Sequence, residues 1–354
     1  MSIVFGLILI FFSLELSARA IYHFSRRIPK IAGGVQYVEF LRRGREEFTG
    51  PIYPRPYSLF WNRPNYFRND FQQTDSNGFR YKGYDVNLEK SRRRILAYGG
   101  STTFSNHVFA DPQKCWTFLL EKFFEENGEE IEVVNCGLNY GLTSELSSHL
   151  FFEGTHFSPD FVILHGPGND TLPISMGDTS HDYRRTRKSG ALTPRLFEPG
   201  LLRVSAIARV FYCLMFREYI FARLEPEYWD SVRVQNNRLI NSDLSAFKNN
   251  VRNFVGICLA RNIKVILIDF LQNSPENLEI LKPGLSEGMV SIVDRMNNFF
   301  AILSSEYNGK VLHVRLSNNE FQGSHFTDIC HLTEEGEERK ARIIFSFIRD
   351  FVAM

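Results

Sequence analysis

The sequence predicts an α/β fold in which a mostly parallel sheet is covered by helices on both faces. From residue 94 onward, short apolar runs of strand length alternate with longer stretches in which apolar residues recur at helical spacing. Such alternation is typical of β–α–β units, which build parallel sheets that are buried on both sides. A second observation is size, because 354 residues with 44% hydrophobic content can fill a large core.

Five apolar runs form the predicted strands, which cover residues 95–98, 131–135, 161–164, 265–270 and 311–314. The predicted helices cover about 113–126, 143–154, 243–261, 286–306 and 334–350. The last helix has the clearest start. Thr333 is a suitable N-cap, and Glu334 and Glu335 place negative charge at the positive end of the helix dipole.

Residues 1–24 are predicted to form a helix that anchors the protein in a membrane. Residues 3–14 are an almost unbroken apolar run, and an extension to Tyr22 reaches the ~20 residues that a spanning helix needs. The extension includes Glu15 and Arg19, which are four positions apart and can pair on one helix face. A cleaved signal peptide fits less well, because the apolar run has no basic segment before it.

Two further segments complete the predicted domain organisation. Residues 25–90 are rich in Pro, Tyr, Phe and Arg, and are predicted to form a stalk and an irregular or hairpin-forming lead-in. Residues 91–354 are predicted to form the catalytic domain, with an insertion at about 171–241 that interrupts the strand and helix rhythm. The insertion contains a basic run at 184–188 and an apolar stretch at 204–224. A lid, a membrane-contacting helix and a partner surface are all compatible with it.

The composition argues against two classes of function. The chain has 41 Lys and Arg against 40 Asp and Glu, whereas proteins that bind nucleic acid usually carry a basic excess. The cysteines are spread singly, without the close pairs typical of a zinc site, so we expect buried free thiols and no metal. They are Cys115, Cys136, Cys213, Cys258 and Cys330.

Four polar blocks lie at the ends of predicted strands or shortly after them. They cover residues 99–102, 135–144, 166–170 and 328–331. In open α/β folds, ligands bind at the edge of the sheet where the carboxyl ends of the strands meet. We therefore expect the four blocks to form one site.

These blocks contain the residue types that serine-dependent acyl chemistry requires. Ser101 is the candidate nucleophile, because a serine hydroxyl reacts when a base takes its proton. His331 is the candidate base, and Asp328, three residues earlier, can fix the orientation of its ring. The candidate donors to the oxyanion are the backbone N–H groups of Ser101 and Gly141 and the side-chain amide of Asn169.

Together the blocks resemble those of the SGNH, or GDSL-type, hydrolases, whose name gives the Ser, Gly, Asn and His of the four blocks. The resemblance covers about residues 75–350, and the segment from Asp328 to Gly336 is its most specific part. It implies a three-layer α/β/α sandwich, flavodoxin-like, with a five-stranded and mostly parallel sheet. It also implies ester hydrolysis or acyl transfer without a metal or an organic cofactor. Residues 76–80 resemble the lead-in of membrane-anchored bacterial members.

The sequence departs from the family pattern in two places. Gly100 stands where the family usually has Asp before the nucleophile, although similar Gly-Gly-Ser-Thr forms occur in branches tied to polysaccharide O-acetylation. Pro167 holds a position that is usually Gly in the Asn block. In the second block we select Gly141 rather than Gly137, because it comes directly before a predicted helix.

The leading hypothesis is a membrane-anchored serine esterase that removes a small acyl group, with acetyl on a carbohydrate as the expected substrate. A polysaccharide O-acetyltransferase stays open, because transfer to a sugar hydroxyl passes through the same acyl-enzyme. A non-catalytic module that binds glycans or assembles a membrane complex also stays open, and so does a lysophospholipase-like enzyme.

The sequence gives conflicting signals about location. Arg19, Arg26, Arg27 and Lys30 follow the apolar run and favour a cytoplasmic domain under the positive-inside rule. The resemblance to polysaccharide-modifying branches favours the extracytoplasmic side, which is the side that we expect.

Overall fold

The structure is a computed structural model, and it describes residues 2–24, 51–55, 59–68, 70–105, 111–166, 168–175, 177–183, 205–208 and 239–353. The chain divides into two compact units. One comprises residues 1–54 and 185–233, and the other comprises residues 55–184 and 234–354. All the candidate site residues belong to the second unit, which we call the α/β unit.

The strands are β1 (Ile52–Arg55), β2 (Leu59–Asn62), β3 (Phe67–Arg68), β4 (Phe71–Gln72), β5 (Arg93–Gly99), β6 (Ile131–Gly137), β7 (Phe161–His165), β8 (Lys264–Ile268) and β9 (Val311–Val314). The α-helices are α1 (Ser2–Phe24), α2 (Ser101–Phe104), α3 (Trp116–Glu126), α4 (Thr143–Phe152), α5 (Thr171–Ser175), α6 (Ser245–Leu259), α7 (Pro275–Leu281), α8 (Ser286–Glu306) and α9 (Glu334–Ala353).

A five-stranded parallel sheet forms the centre of the α/β unit. Its strand order is β6-β5-β7-β8-β9, and each neighbouring pair is parallel. The five predicted strands and their shared direction are confirmed. The order changes direction at β5, which has the next two strands of the chain on either side of it. Crevices at such switch points are where open α/β sheets bind ligands.

Helices cover both faces of this sheet because its strands are apolar on both sides. Alternate residues such as Ile95 and Ile163 pack with α3 and α9 into one buried cluster. The residues between them face the other way, and the ring of Tyr98 contacts Phe254 of α6. Burial on both faces explains why these strands read as continuous apolar runs instead of alternating with polar residues.

The lead-in after Leu59 is part of the α/β unit and packs within it. Trp61 is fully buried and stacks on His149 of α4, with 3.4 Å between ring centroids. Asn62 donates hydrogen bonds from Nδ2 to the carbonyl oxygens of Gly78 and Gly137. The predicted hairpin is present in short form, since β3 and β4 are antiparallel partners around Asp70. Residues 25–50 of the predicted stalk lie outside the described residues.

The predicted N-terminal helix is present as α1, and the expected pair is present too, with Arg19 Nε 2.8 Å from Glu15 Oε1. The prediction of a membrane span is not supported. Within the described parts of the chain, no helix is both long enough and apolar enough to cross a membrane. A buried carboxylate interrupts the apolar surface, because Glu15 also accepts hydrogen bonds from Ser205 Oγ and the backbone N–H of Ala206.

Part of the predicted insertion and several other predicted features lie outside the described residues. These are the basic run at 184–188, nearly all of the apolar stretch at 204–224, Cys213, Pro167, Arg26, Arg27 and Lys30. The cysteines that are described are free thiols, as predicted. Cys115, Cys136 and Cys258 are buried, and Cys330 is half-buried.

Candidate active site

The nucleophile, base and acid of the predicted set lie in direct contact. Ser101 is the first residue of α2, directly beyond the carboxyl end of β5. Its Oγ is 2.8 Å from Nε2 of His331. The other ring nitrogen, Nδ1, is 2.7 Å from Oδ2 of Asp328. Residues 230 positions apart in the chain are thus joined in one hydrogen-bonded row.

Asp328 uses its two carboxylate oxygens for different purposes. Oδ1 accepts hydrogen bonds from the backbone N–H groups of Cys330 and His331, at 2.9 and 2.8 Å. Oδ2 faces the imidazole. The turn is closed further by the N–H of Thr327, which donates to the carbonyl of His331 at 2.8 Å. One carboxylate therefore shapes the turn and also orients the catalytic ring, as the base of a Ser-His-Asp set requires.

The two groups shift each other's pKa in opposite directions. Burial by itself lowers the pKa of His331, but the hydrogen bond to Asp328 and the neighbouring Cys330 sulfur outweigh it and raise the pKa above 6.5. Burial by itself raises the pKa of Asp328, but the hydrogen bonds from His331 and from backbone N–H groups hold it below 3.8. The carboxylate is thus ionised beside the ring, and its charge favours the protonated form of the imidazole.

Close packing explains the two glycines before the nucleophile. A Cβ at Gly99 would lie 2.1 Å from Oγ1 of Thr103, and a Cβ at Gly100 would lie 2.8 Å from Nδ2 of Asn169. The turn therefore passes so near to Asn169 that a side chain at position 100 would push the amide away. This contact gives a physical reason for Gly100 where the family usually has Asp.

The candidate oxyanion donors are in different states. The N–H of Ser101 is the first of α2 and has no acceptor within the helix. Asn169 donates one of its two amide hydrogens to the carbonyl of Gly141 at 3.1 Å, which leaves the second for a ligand. The N–H of Gly141 donates to the carbonyl of Leu138 at 2.9 Å. Its role as a donor stays a prediction, and it would require that bond to be exchanged.

The four blocks therefore lie at one edge of a parallel sheet, with Ser101, His331 and Asp328 in hydrogen-bond contact. This is the arrangement that the resemblance to the SGNH, or GDSL-type, hydrolases predicts, and it provides the serine, the base and the carboxylate that acyl transfer to serine requires.

No family model matches the chain, and no curated protein matches it. Among solved structures, it is similar to a lipase/acylhydrolase from Enterococcus faecalis, with 15% identity, a TM-score of 0.44, and coverage of 73% of this chain and 96% of that one. It is also similar to an acetylxylan esterase from Geobacillus stearothermophilus, solved as a catalytic mutant, with 15% identity and a TM-score of 0.44. That match covers 74% of this chain and 96% of the esterase. A third similar structure is a family 3 carbohydrate esterase from Clostridium thermocellum, with 14% identity, a TM-score of 0.42, and coverage of 74% of this chain and 97% of that one.

Asp170, directly after Asn169, connects two blocks of the candidate site. Its buried carboxylate accepts hydrogen bonds from the N–H and the Oγ1 of Thr143, at 3.0 and 2.5 Å. Burial raises the pKa of Asp170 to about 7, against the lowering effect of these hydrogen bonds. Since Thr143 begins α4, the bonds join the start of that helix to the loop that carries Asn169.

A small cavity of about 160 Å³ opens beside Ser101. Besides the nucleophile turn and Asn169, its wall includes apolar side chains from four separate elements, which are Leu172, Phe270, Met289, Val293 and Ile329. The side-chain amide of Gln272 also lines it. A larger hollow of about 610 Å³ lies next to the first residues of β7 and β8, at the opposite edge of the sheet from Ser101.

Sequence reasoning missed two sets of residues around the candidate site. Phe270 and Gln272 follow β8 at the same edge as the four blocks, so the rule that located those blocks could have found this loop too. Lys340 and Glu337 lie in α9 and are buried behind the nucleophile. Lys340 Nζ is 3.3 Å from the carbonyl oxygen of Thr102. Charged residues on a helix are usually solvated, and so no sequence signal indicated their burial.

A metal site at the catalytic turn is in conflict with its hydrogen bonds. Among the described residues, Asp328, Cys330 and His331 offer ligand atoms that lie within 4.8 Å of one another. A cation bound by all three would replace the hydrogen bond between Asp328 and His331, which orients the base. The hydrogen bond between Asp328 and His331 therefore favours proton transfer over metal binding as the use of these two groups.

Proposed function

We propose that the protein is a serine esterase that hydrolyses a small acyl ester, with acetyl on a carbohydrate as the expected substrate. The observation that carries this proposal is the hydrogen-bonded row from Ser101 through His331 to Asp328. Activation of a serine by a base, and orientation of that base by a carboxylate, are the requirements of acyl transfer to serine.

In the first half of the reaction, Ser101 Oγ attacks the ester carbonyl and its proton passes to Nε2 of His331. The carbonyl oxygen becomes an oxyanion, for which the N–H of Ser101 and the free amide hydrogen of Asn169 are the nearest candidates. Removal of one such donor typically costs ~10²–10³ in kcat. The bond to the alcohol oxygen then breaks, Nε2 returns the proton to that oxygen, and the acyl group stays on Ser101.

In the second half, water attacks the acyl-serine and gives its proton to Nε2. Collapse of the second tetrahedral intermediate releases the carboxylic acid, and the proton returns to Ser101 Oγ. Asp328 stays ionised throughout, since the hydrogen bonds to its carboxylate hold its pKa low. Each step uses groups that are already in contact.

The size of the cavity favours a short acyl chain. Sites for drug-sized ligands have volumes of roughly 300–1,000 Å³. The cavity beside Ser101 has about 160 Å³, and the ring of Phe270 forms part of its wall. An acetyl group occupies only part of such a space, whereas a long acyl chain would need the wall to move. This preference also separates the proposal from a lysophospholipase-like enzyme.

The test is hydrolysis of p-nitrophenyl acetate by the purified full chain, together with labelling by a fluorophosphonate. We expect turnover and a covalent adduct on Ser101, and the loss of both in Ser101→Ala. Ser305→Ala is the matched control, because Ser305 is an exposed serine that bonds only to the carbonyl of Ile302 among the described residues. Equal rates for Ser101→Ala and the wild type would refute the mechanism. A folded protein that the probe never labels would support a non-catalytic glycan-binding module.

Hydrolysis and transfer are separated by adding a sugar acceptor to the same assay. An esterase releases acetate at a rate that the acceptor does not change. An acetylated sugar formed in proportion to the acceptor would identify an O-acetyltransferase instead, because the same acyl-serine would then react with a sugar hydroxyl.

We also propose that the catalytic unit acts outside the cytoplasm, where polysaccharides of the cell surface are found. The test is a fusion of alkaline phosphatase after the last residue, since this reporter becomes active only when it is exported. A second fusion carries, at the same position, a fluorescent protein that folds only in the cytoplasm. An inactive phosphatase fusion together with a fluorescent second fusion would place the unit inside the cell.

A further inference from the structure

The loop after β8 adds a fifth segment to the edge of the sheet that carries the four blocks. It runs from Asp269 to Asn273, directly after the carboxyl end of β8. Two of its side chains, Phe270 and Gln272, line the cavity that also contains Ser101 and Asn169. The loop is therefore in a position to contact a substrate whose ester is bound at the nucleophile.

This loop is held rigidly on both sides. The N–H of Phe270 donates to Oδ1 of Asn297 at 2.9 Å, and Nδ2 of Asn297 donates to the carbonyl of Phe270 at 3.0 Å. At its other end, Asn273 donates from its backbone N–H to the carbonyl of Ile329 and from Nδ2 to the carbonyl of Asp328, at 2.9 and 3.0 Å. Gln272 thus lies between two anchored points, one on a helix and one at the catalytic turn. Because its backbone is already ordered, little further conformational entropy is lost when a ligand binds.

Within this rigid loop, Gln272 has an unsatisfied polar group. Its side chain is almost completely buried, with 2% of the residue exposed. Its Oε1 has no hydrogen-bond partner among the described residues. An unpaired polar group in a buried position is unfavourable, and most buried polar atoms in proteins are paired for this reason.

The surroundings of Gln272 limit what can satisfy it. The cavity wall includes apolar side chains such as Phe270, Met289 and Val293, which offer no hydrogen bond, and its polar groups include those of Ser101, Asn169 and Thr171. A carboxamide can accept and donate, and a hydroxyl group can do the same. A hydrocarbon chain in the cavity would leave the amide unpaired, whereas an alcohol with a hydroxyl near its ester would pair with it.

We infer that Gln272 is a specificity-determining residue, whose amide forms a hydrogen bond with a free hydroxyl next to the ester in the alcohol part of the substrate. This inference rests on the proposed esterase function and narrows its substrate class to esters of polyhydroxylated alcohols such as sugars. Simple alkyl or aryl acetates react at the same serine but lack the group that Gln272 recognises.

The first experiment uses the wild-type protein alone. It compares kcat/KM for a methyl glycoside that carries one acetyl group beside a free hydroxyl with kcat/KM for the corresponding deoxy glycoside. We expect the hydroxylated ester to be preferred by roughly 10- to 100-fold, because the deoxy compound leaves the amide unpaired. Equal values for the two esters would overturn the inference.

The second experiment is Gln272→Met, which keeps the length of the side chain and removes its polar atoms. We expect the ratio of kcat/KM between the hydroxylated and the deoxy ester to fall to near 1, while Gln113→Met, at an exposed glutamine outside the cavity, keeps the wild-type ratio. If Gln272→Met leaves the ratio of kcat/KM unchanged, the inference is overturned. This includes the case in which kcat/KM falls equally for both esters, because an equal fall indicates a general role in positioning.

Failure of this inference differs from failure of the proposed function. If the esterase proposal is wrong, the wild type hydrolyses neither glycoside nor p-nitrophenyl acetate. If only the role of Gln272 is wrong, the wild type hydrolyses them all without a preference for the free hydroxyl. If Gln272→Met does not fold, the comparison of the two glycosides in the wild type still decides.

Discussion

The substitution Asp328→Asn isolates the interaction that orients the base. Oδ1 of Asp328 accepts the two backbone hydrogen bonds that shape the turn, and Oδ2 accepts the hydrogen bond from the imidazole. An asparagine can keep the carbonyl oxygen at the Oδ1 position, so the turn should stay intact. At the Oδ2 position it presents an N–H₂ group, which cannot accept a hydrogen bond from Nδ1.

Two effects set the size of the expected loss. The first is the hydrogen bond to a charged group at 2.7 Å, which is worth ~1.5–3 kcal/mol and so roughly 10- to 150-fold in rate. The second is the tautomer, since an amide favours the hydrogen on Nε2, where His331 can no longer take the serine proton. The equivalent change in a serine protease lowers kcat by ~10⁴. We therefore expect kcat to fall by ~10²–10⁴.

The pH dependence of kcat/KM provides an independent test of the same interaction. His331 acts as a base only when neutral, so activity rises with pH as the imidazolium loses its proton. The Asp328 carboxylate raises the pKa of His331, which places this rise above pH 6.5 in the wild type. In Asp328→Asn the rise should move down toward 6.5, because the carboxylate charge is gone.

The assay is hydrolysis of p-nitrophenyl acetate from pH 5 to 10, with protein stability followed by circular dichroism. Asp350→Asn is the matched control, at a largely exposed aspartate in α9 that forms an ion pair with its neighbour Arg349. Two outcomes would contradict the reasoning: an unchanged kcat in the Asp328→Asn variant, or activity that rises at the same pH as in the wild type. Either result would show that Asp328 neither orients the His331 ring nor raises its pKa.

Three further predictions concern the oxyanion donor, the acyl pocket and the buried charges. Asn169→Ala should lower kcat by ~10²–10³ with little change in KM, and a change in KM alone would contradict its role as a donor. Phe270→Ala should shift preference from acetate toward butyrate and hexanoate esters, because it removes part of the wall of a cavity of about 160 Å³; an unchanged chain-length profile would refute this. Lys340→Met should destabilise the protein by about 3 kcal/mol in urea denaturation, because Glu337 is left buried without a compensating charge. Glu337→Gln in the same chain should restore part of that loss, and an unchanged unfolding midpoint in Lys340→Met would contradict the reasoning.

The sheet and the three reacting side chains could be predicted because their signals are local. Each central strand is a continuous apolar run, and parallel strands that are buried on both faces require such runs. Ser101 and His331 then follow from the rule that polar residues after such strands meet at one edge. The structure brings them within 2.8 Å of each other.

Features that depend on contacts between distant segments could not be predicted in this way. Trp61 lies in the segment predicted as stalk and lead-in, and its burial depends on stacking against His149, 88 residues later. The bond from Gly141 to Leu138 depends on the exact path of the loop, which a motif does not specify. Gln272 belongs to no motif, and only its burial and its unpaired oxygen distinguish it from an ordinary loop glutamine.

The order in which the chain is synthesised has a consequence for when the enzyme can act. Ser101 is translated early, but its base is 230 positions downstream, and Lys340, which contacts the nucleophile turn at Thr102, is later still. A nascent chain on the ribosome can form β5, β6 and β7 without any means of removing the serine proton. Ester cleavage should therefore begin only after residues up to about 340 have left the exit tunnel, and ribosome-bound chains stalled before that point should not react with a fluorophosphonate.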